Sequence, residues 1–226
     1  MRELDRGMDD VRNRLLYMGG LAEEMIRLSM EVLSGRTREP LDGIWSREKE
    51  VNGLHLEIDD KCLTLIARHQ PAAVDLRGLI AAARMTSDLE RIGDQAVNVA
   101  QNGEILLDLP DLPLRLLDLP RMADVARGMT KDALDAFSRK DAELARSVVK
   151  RDDEEDRLKS QAFRDLMQVM QSDSSTIQRA LGLILVARNL ERIADHATNI
   201  AEEVIFMVLG RDIRHHAEED APPPRE

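Results

Sequence analysis

Aromatic residues are nearly missing from this chain of 226 residues, at 2% of the total. Sheets draw on aromatic and β-branched side chains, so the shortage argues against a β protein. Leu, Ala, Met, Glu and Arg are abundant instead, and these favour helices. The single cysteine, Cys62, excludes an intrachain disulfide framework and falls on an apolar stripe, so it reads as core. No stretch approaches the roughly eighteen apolar residues of a membrane span. The opening MRELDRGMDDVRNR is too charged for a secretory leader. Positive charge is in deficit, 32 Lys and Arg against 43 Asp and Glu, for a net charge of −11. Such a chain is badly suited to neutralising a nucleic-acid backbone; cations and basic surfaces suit it better. The sequence holds no Gly-rich phosphate loop, no Ser-His-Asp arrangement, no CxxC and no nucleophile with a base beside it. The protein is expected to be soluble and cytoplasmic.

What is present is one stretch that occurs twice. Residues 89–100 read LERIGDQAVNVA and residues 190–201 read LERIADHATNIA, in register at an offset of 101. Self-similarity of this kind sets the architecture. Leu89, Ile92, Ala96 and Val99 form an apolar stripe, as do Leu190, Ile193, Ala197 and Ile200. Helical periodicity extends to residues 8–35, 42–69 and 72–104 in the first half and to 121–139, 141–171 and 175–209 in the second. The stretch 121–139 aligns with 17–35 in pattern more than in identity. Gly19-Gly20 reads as a bend in the first helix. Gln70-Pro71 makes one turn, and Ser172-Asp173-Ser174 supplies N-cap residues at its counterpart. The proline-interrupted stretch ILLDLPDLPLRLLDLP, residues 105–120, breaks any helix, and its leucines suggest a packed crossover. The expected fold class is all-α: six helices in two pseudo-symmetric three-helix bundles. Residues 1–104 form the first bundle, 105–120 the crossover and 121–210 the second bundle, and 211–226 form a disordered tail. The alternative is one continuous six-helix bundle with a shared core.

Each copy of the repeated stretch carries Glu, Asp and Asn at i, i+4 and i+8: Glu90, Asp94 and Asn98, then Glu191, Asp195 and Asn199. These rise in a row well off the apolar stripe. Residues equidistant from a hairpin turn stand at similar heights, which pairs Asn52 with Glu90 and Glu48 with Asp94. In the second half it pairs Asp156 with Glu191 and Asp152 with Asp195. Helices in contact lie about 8–10 Å apart, so carboxylates from both can meet over the seam. Clustered carboxylates repel one another unless a cation sits between them. Oxygen-rich sites of this kind suit hard divalent ions, or iron and manganese. The bland alternative is a solvated face, and Asp152-Asp153-Glu154-Glu155-Asp156 looks like a plain charge run. Other polar features point less clearly to function. His196 projects about 100° away from Asp195. Asp75 in the first turn of the third helix compensates the helix dipole. His215-His216 reads as a loose polar pair.

The stretches QPAAVDLR at 70–77, LERIGDQAVNVA at 89–100 and NLERIADHATNIAEEVIF at 189–206 resemble the PhoU family. The resemblance spans about residues 8–210, and the third helix of each repeat is its specific part. It implies two three-helix bundles and a regulator of bacterial phosphate uptake that restrains the phosphate-starvation response. It further implies contacts with a membrane sensor histidine kinase and with the ATPase subunit of the phosphate transporter, and homodimers. Some members carry multinuclear metal clusters on Glu/Asp-x-x-x-Asp motifs. By resemblance those motifs fall on Glu90 and Asp94, on Glu191 and Asp195, and on Asp152 and Asp156. The fourth falls on Glu48 and Asn52, where an amide replaces the acid and brings no charge. The metal, divalent or iron-type, is not named by the sequence. Two other classes compete with this adaptor. One is a carboxylate-bridged metalloenzyme, which would ordinarily use core-facing Glu-x-x-His motifs that this chain lacks. The other is a plain helical interaction scaffold whose acids are only solvated.

Overall fold

In the computed structural model, residues 3–110 and 118–213 are described. They form α1 (Glu3–Gly35), α2 (Leu41–His69), α3 (Ala73–Leu107), α4 (Leu119–Arg139), α5 (Ala142–Val149), α6 (Asp152–Ser172) and α7 (Ile177–Leu209). A short 3-10 turn, Ser174–Thr176, leads into α7. No strand occurs among the described residues. The predicted tail, including His215-His216, and the middle of the crossover lie outside them.

Helices α1, α2 and α3 pack on one another as the first bundle; α4, the pair α5–α6, and α7 form the second. The two bundles are joined broadly. Helix α3 packs along α7 in the most extensive helix pair of the molecule, and α1 packs on α4 beside it. One apolar cluster therefore runs through both bundles. The repeated stretch supplies its centre: Leu89, Ile92, Ala96 and Val99, and Leu190, Ile193, Ala197 and Ile200, are all fully buried. Truncating any of the leucines to alanine would cost about 2–5 kcal/mol in lost burial and cavity. Cys62 is buried in the same cluster, and burial pushes its thiol up to about 12.

Three local readings are sharpened by the structure. Helix α1 runs unbroken through Gly19-Gly20, and Gly19 is a point of close contact. A Cβ on Gly19 would stand 2.2 Å from Leu134 Cδ1, so the missing side chain lets α1 and α4 approach. The helix expected over 141–171 is two segments that meet at Lys150 and Arg151. Asp141 caps the first by accepting from the N–H groups of Glu143 and Leu144. The interruption places Asp152, Asp153, Glu154 and Glu155 in the first turn of α6, where the helix dipole favours negative charge. Arg151 holds the junction to α4 through Asp132 at 2.7 Å. Finally, the break between the bundles is shorter than 105–120. Helix α3 continues to Leu107, and Pro120 sits in the first turn of α4, where its absent N–H is harmless. Arg36 and Arg179 both donate to the Leu109 carbonyl, which ties the start of the crossover to both bundles.

Candidate functional site

The outer seam of α6 and α7 is the most heavily acidic part of the second bundle. Lys159 sits across it and donates to Asp156 Oδ1 and to Glu191 Oε1, both at 2.6 Å. Burial works against the Lys159 charge. The two carboxylate bonds outweigh it and hold the ammonium above the usual lysine range. Asp152 accepts a 3.3 Å hydrogen bond from the Thr198 hydroxyl. Asp152 and Asp195 line one depression of about 400 Å³ together with Thr198, Asn199, His196 and Arg192. Asp195 keeps access to solvent. Even so, desolvation by the packed helices, then the charges of Glu191 and Asp152, push its carboxyl up to about 6. Desolvation also raises Asp152, with Asp156, Asp153 and Glu191 adding to the shift and Thr198 opposing it.

Beneath this seam lies Glu155, which the sequence places on an inner face. It is 1% exposed, and neither carboxylate oxygen has a hydrogen-bond partner. Burial, then the neighbouring Glu154, Glu191, Asp152 and Asp156, push it up to about 8. Lys159 and Glu155 are the two residues of this seam that sequence reasoning did not assign to it. The available signal was a charged residue on a stripe otherwise made of Val148, Leu158, Ala162 and Leu166.

The corresponding residues of the first bundle are placed differently. Glu90 and Asp94 are half-buried on α3, and both are engaged by Arg91, at 3.4 and 3.3 Å. Glu48 is half-buried on α2 and Asn52 is exposed. Asn98 is also half-buried, and its backbone carbonyl accepts from the Asn102 amide.

Asn199 lines the same depression as Asp195 and also reaches the junction between the bundles. Its amide donates to Asp88 Oδ1 at 3.1 Å, and His196 Nδ1 lies 2.9 Å from the same oxygen. The projection that takes His196 out of the acidic row turns it toward α3. Nearby, Arg84 pairs with the buried Glu203 at 3.2 Å and stacks over Phe206 at 5.7 Å.

Among the described residues, no three His, Cys or acidic side chains enclose an ion as they stand. The chemistry of the α6–α7 seam nevertheless fits one. All its acidic donors are oxygen, burial raises the carboxyls of Asp152, Glu155 and Asp195, and Glu155 is an orphaned buried carboxylate. The cation already across the seam, Lys159, is tethered by a flexible stem that is one-third exposed.

The two halves also match a known domain. The profile of the PhoU domain matches the chain twice, over residues 15–103 and 119–204. This chain belongs to the PhoU family. It is 38% identical over 214 residues to the phosphate-specific transport system accessory protein PhoU homolog of Pseudomonas putida, across 95% of this chain and 84% of that protein. The crystal structure of PhoU from Pseudomonas aeruginosa aligns with a TM-score of 0.89 at 37% identity, covering 92% of this chain and all of the other. The phosphate transport system regulatory protein PhoU from Streptococcus pneumoniae aligns with a TM-score of 0.84 at 25% identity, covering 93% and 99%. The PhoU fold thus accounts for both bundles and for their joining through α3 and α7. Among the described residues no helix is long and apolar enough to cross a membrane.

Proposed function

We propose that this protein is a regulatory accessory of phosphate transport that restrains uptake and phosphate-starvation signalling when phosphate is plentiful. The observation that carries the reading is the match of the family over both repeats and nearly the whole chain. The Pseudomonas putida relative is named as an accessory protein of phosphate-specific transport, and the Streptococcus pneumoniae structure as a regulatory protein of that system. The protein works as a cytoplasmic adaptor, without catalysis. Its partners are the ATPase subunit of the phosphate transporter and a sensor histidine kinase, and it acts as a homodimer. Its acidic seams are metal seats. Asp152, Asp156, Glu191 and Asp195 serve the second bundle. Glu48, Asn52, Glu90 and Asp94 serve the first, with Asn98 and Asn199 prolonging the rows. A bound divalent ion would supply the positive charge that clustered carboxylates lack.

The partner reading is tested by affinity capture of the full chain from phosphate-replete cells, followed by identification of what is retained. The ATPase subunit and the kinase are expected. Retention of neither, when both are present in the lysate, would refute it.

A further inference from the structure

Glu155 holds a position at which the first bundle has valine. At the offset of 104 that aligns Asp152 with Glu48 and Asp156 with Asn52, Glu155 aligns with Val51. Val51 is buried, and its Cγ1 would lie 3.5 Å from a Cβ on Gly93 of α3, as ordinary apolar packing between α2 and α3. The second bundle has exchanged this contact for a carboxyl group at the same depth.

That exchange is costly unless something answers it. A buried carboxylate without a hydrogen bond or a counter-charge is among the most unfavourable groups a core can hold. Among the described residues nothing answers Glu155. Its oxygens have no partner, and every neighbouring charge that acts strongly on it is negative: Glu154, Glu191, Asp152 and Asp156. Glu155 stands three residues after Asp152 and next to Asp156 on α6, turned to the core beneath the seam that those two span to α7 through Thr198 and Lys159. Lys159 compensates Asp156 and Glu191 only. No described ion pair reaches Asp152, Asp195 or Glu155. The uncompensated carboxyls are thus two at the rim of the seam and one beneath it.

We propose that Glu155 is an additional carboxylate donor to a hard divalent cation in the α6–α7 seam, reaching it from the core side and making the second seat unlike the first. This rests on the reading of the acidic seams as metal seats. Glu155 lies outside the paired Asp-x-x-x-Asp positions, and it adds a donor beside Asp152, three residues before it on α6. Lys159 is the tethered cation that the ion displaces from, or shares with, Asp156 and Glu191. A five-carboxylate, all-oxygen donor set favours ions of the manganese and magnesium kind over those that prefer sulfur or imidazole.

The test uses Mn²⁺ as probe and the full chain carrying Glu90→Gln and Asp94→Asn, so that only the second seam is read. Free Mn²⁺ is followed by its electron paramagnetic resonance signal. Glu155→Gln and Glu155→Val are compared with the parent, and a third variant carries Asp152→Asn and Asp195→Asn. The expected result is a Kd raised tenfold or more by both Glu155 changes, in proteins that melt at or above the parent temperature when metal-free. The melting arm shows that the affinity is not lost through misfolding, and Glu155→Val restores a residue this fold already accepts in the first bundle. Unchanged Mn²⁺ affinity in both Glu155 variants, with loss in the Asp152 and Asp195 variant, overturns this inference and leaves the metal seat standing. Absence of Mn²⁺ binding in the parent overturns both.

Discussion

Replacing Glu155 by glutamine should stabilise the chelator-treated protein at neutral pH while leaving it nearly unchanged in acid. The ordinary carboxyl value is 4.5, and in the fold it is about 8, so the folded state holds the proton more tightly than the unfolded chain does. The stability that this proton supplies is complete below the unfolded value. It is lost as pH rises through the folded value. Glutamine keeps the shape and has no proton to lose, so the gap between variant and parent should open above about pH 5 and approach a few kcal/mol near pH 8. Urea melts of both proteins at a series of pH values decide the matter; parallel curves would mean that the Glu155 carboxyl is not buried as charge. The exposed members of the seam were legible in the sequence, because an i, i+4, i+8 row repeated at a fixed offset is a pattern. Glu155 was legible as a position on the inner stripe of its helix but not as a member of the seam, because Asp153 and Glu154 beside it give it the look of a solvated run. Lys159 was hidden for another reason: its partner Glu191 lies on another helix.

At the scale of the helix, Gly19 and Gly20 should respond with opposite signs. They are adjacent in α1, yet a Cβ on Gly20 meets nothing within 4 Å while one on Gly19 runs into Leu134. Gly20→Ala should stabilise by roughly 0.5–1 kcal/mol through the entropy of the unfolded chain. Gly19→Val should destabilise by about 1–3 kcal/mol through overpacking. Thermal melts of the two single variants check this, and equal shifts would mean that α1 does not approach α4 through Gly19. A glycine pair reads alike in sequence whether it bends a helix or admits a neighbour, so the contact of Gly19 with Leu134 was not legible. The α5–α6 break was likewise invisible, since Lys150-Arg151 carries neither glycine nor proline. It shows itself in what it achieves, the placing of four acids at a helix start. The core stripes of α2, α3 and α7 were legible throughout, because each is a long run of regular spacing with few alternatives.

Over the whole molecule the two bundles are alike in fold and unlike in charge. The second seam offers the carboxylates of Asp152, Asp156, Glu191 and Asp195, whereas the first has Asn52 in place of an acid and Arg91 on both Glu90 and Asp94. Metal should therefore be held more firmly in the second. Glu191→Gln with Asp195→Asn should strip most bound metal after dialysis against a weak chelator, and Glu90→Gln with Asp94→Asn should strip less. Equal loss, or greater loss from the first pair, would reverse the ranking. The sequence showed the doubling of the fold but not how closely the halves are joined: in the bridge of Asp88 to His196 and Asn199, Asp88 and His196 align with Asn189 and Gln95 at the matching positions of the other repeat, so the repeat pattern does not announce it. The most direct test is the output of a phosphate-starvation promoter in cells grown in abundant phosphate, with and without the gene for this protein. Loss of the protein should switch the promoter on, and the full chain supplied in trans should silence it. A promoter that stays silent without the protein would contradict the account.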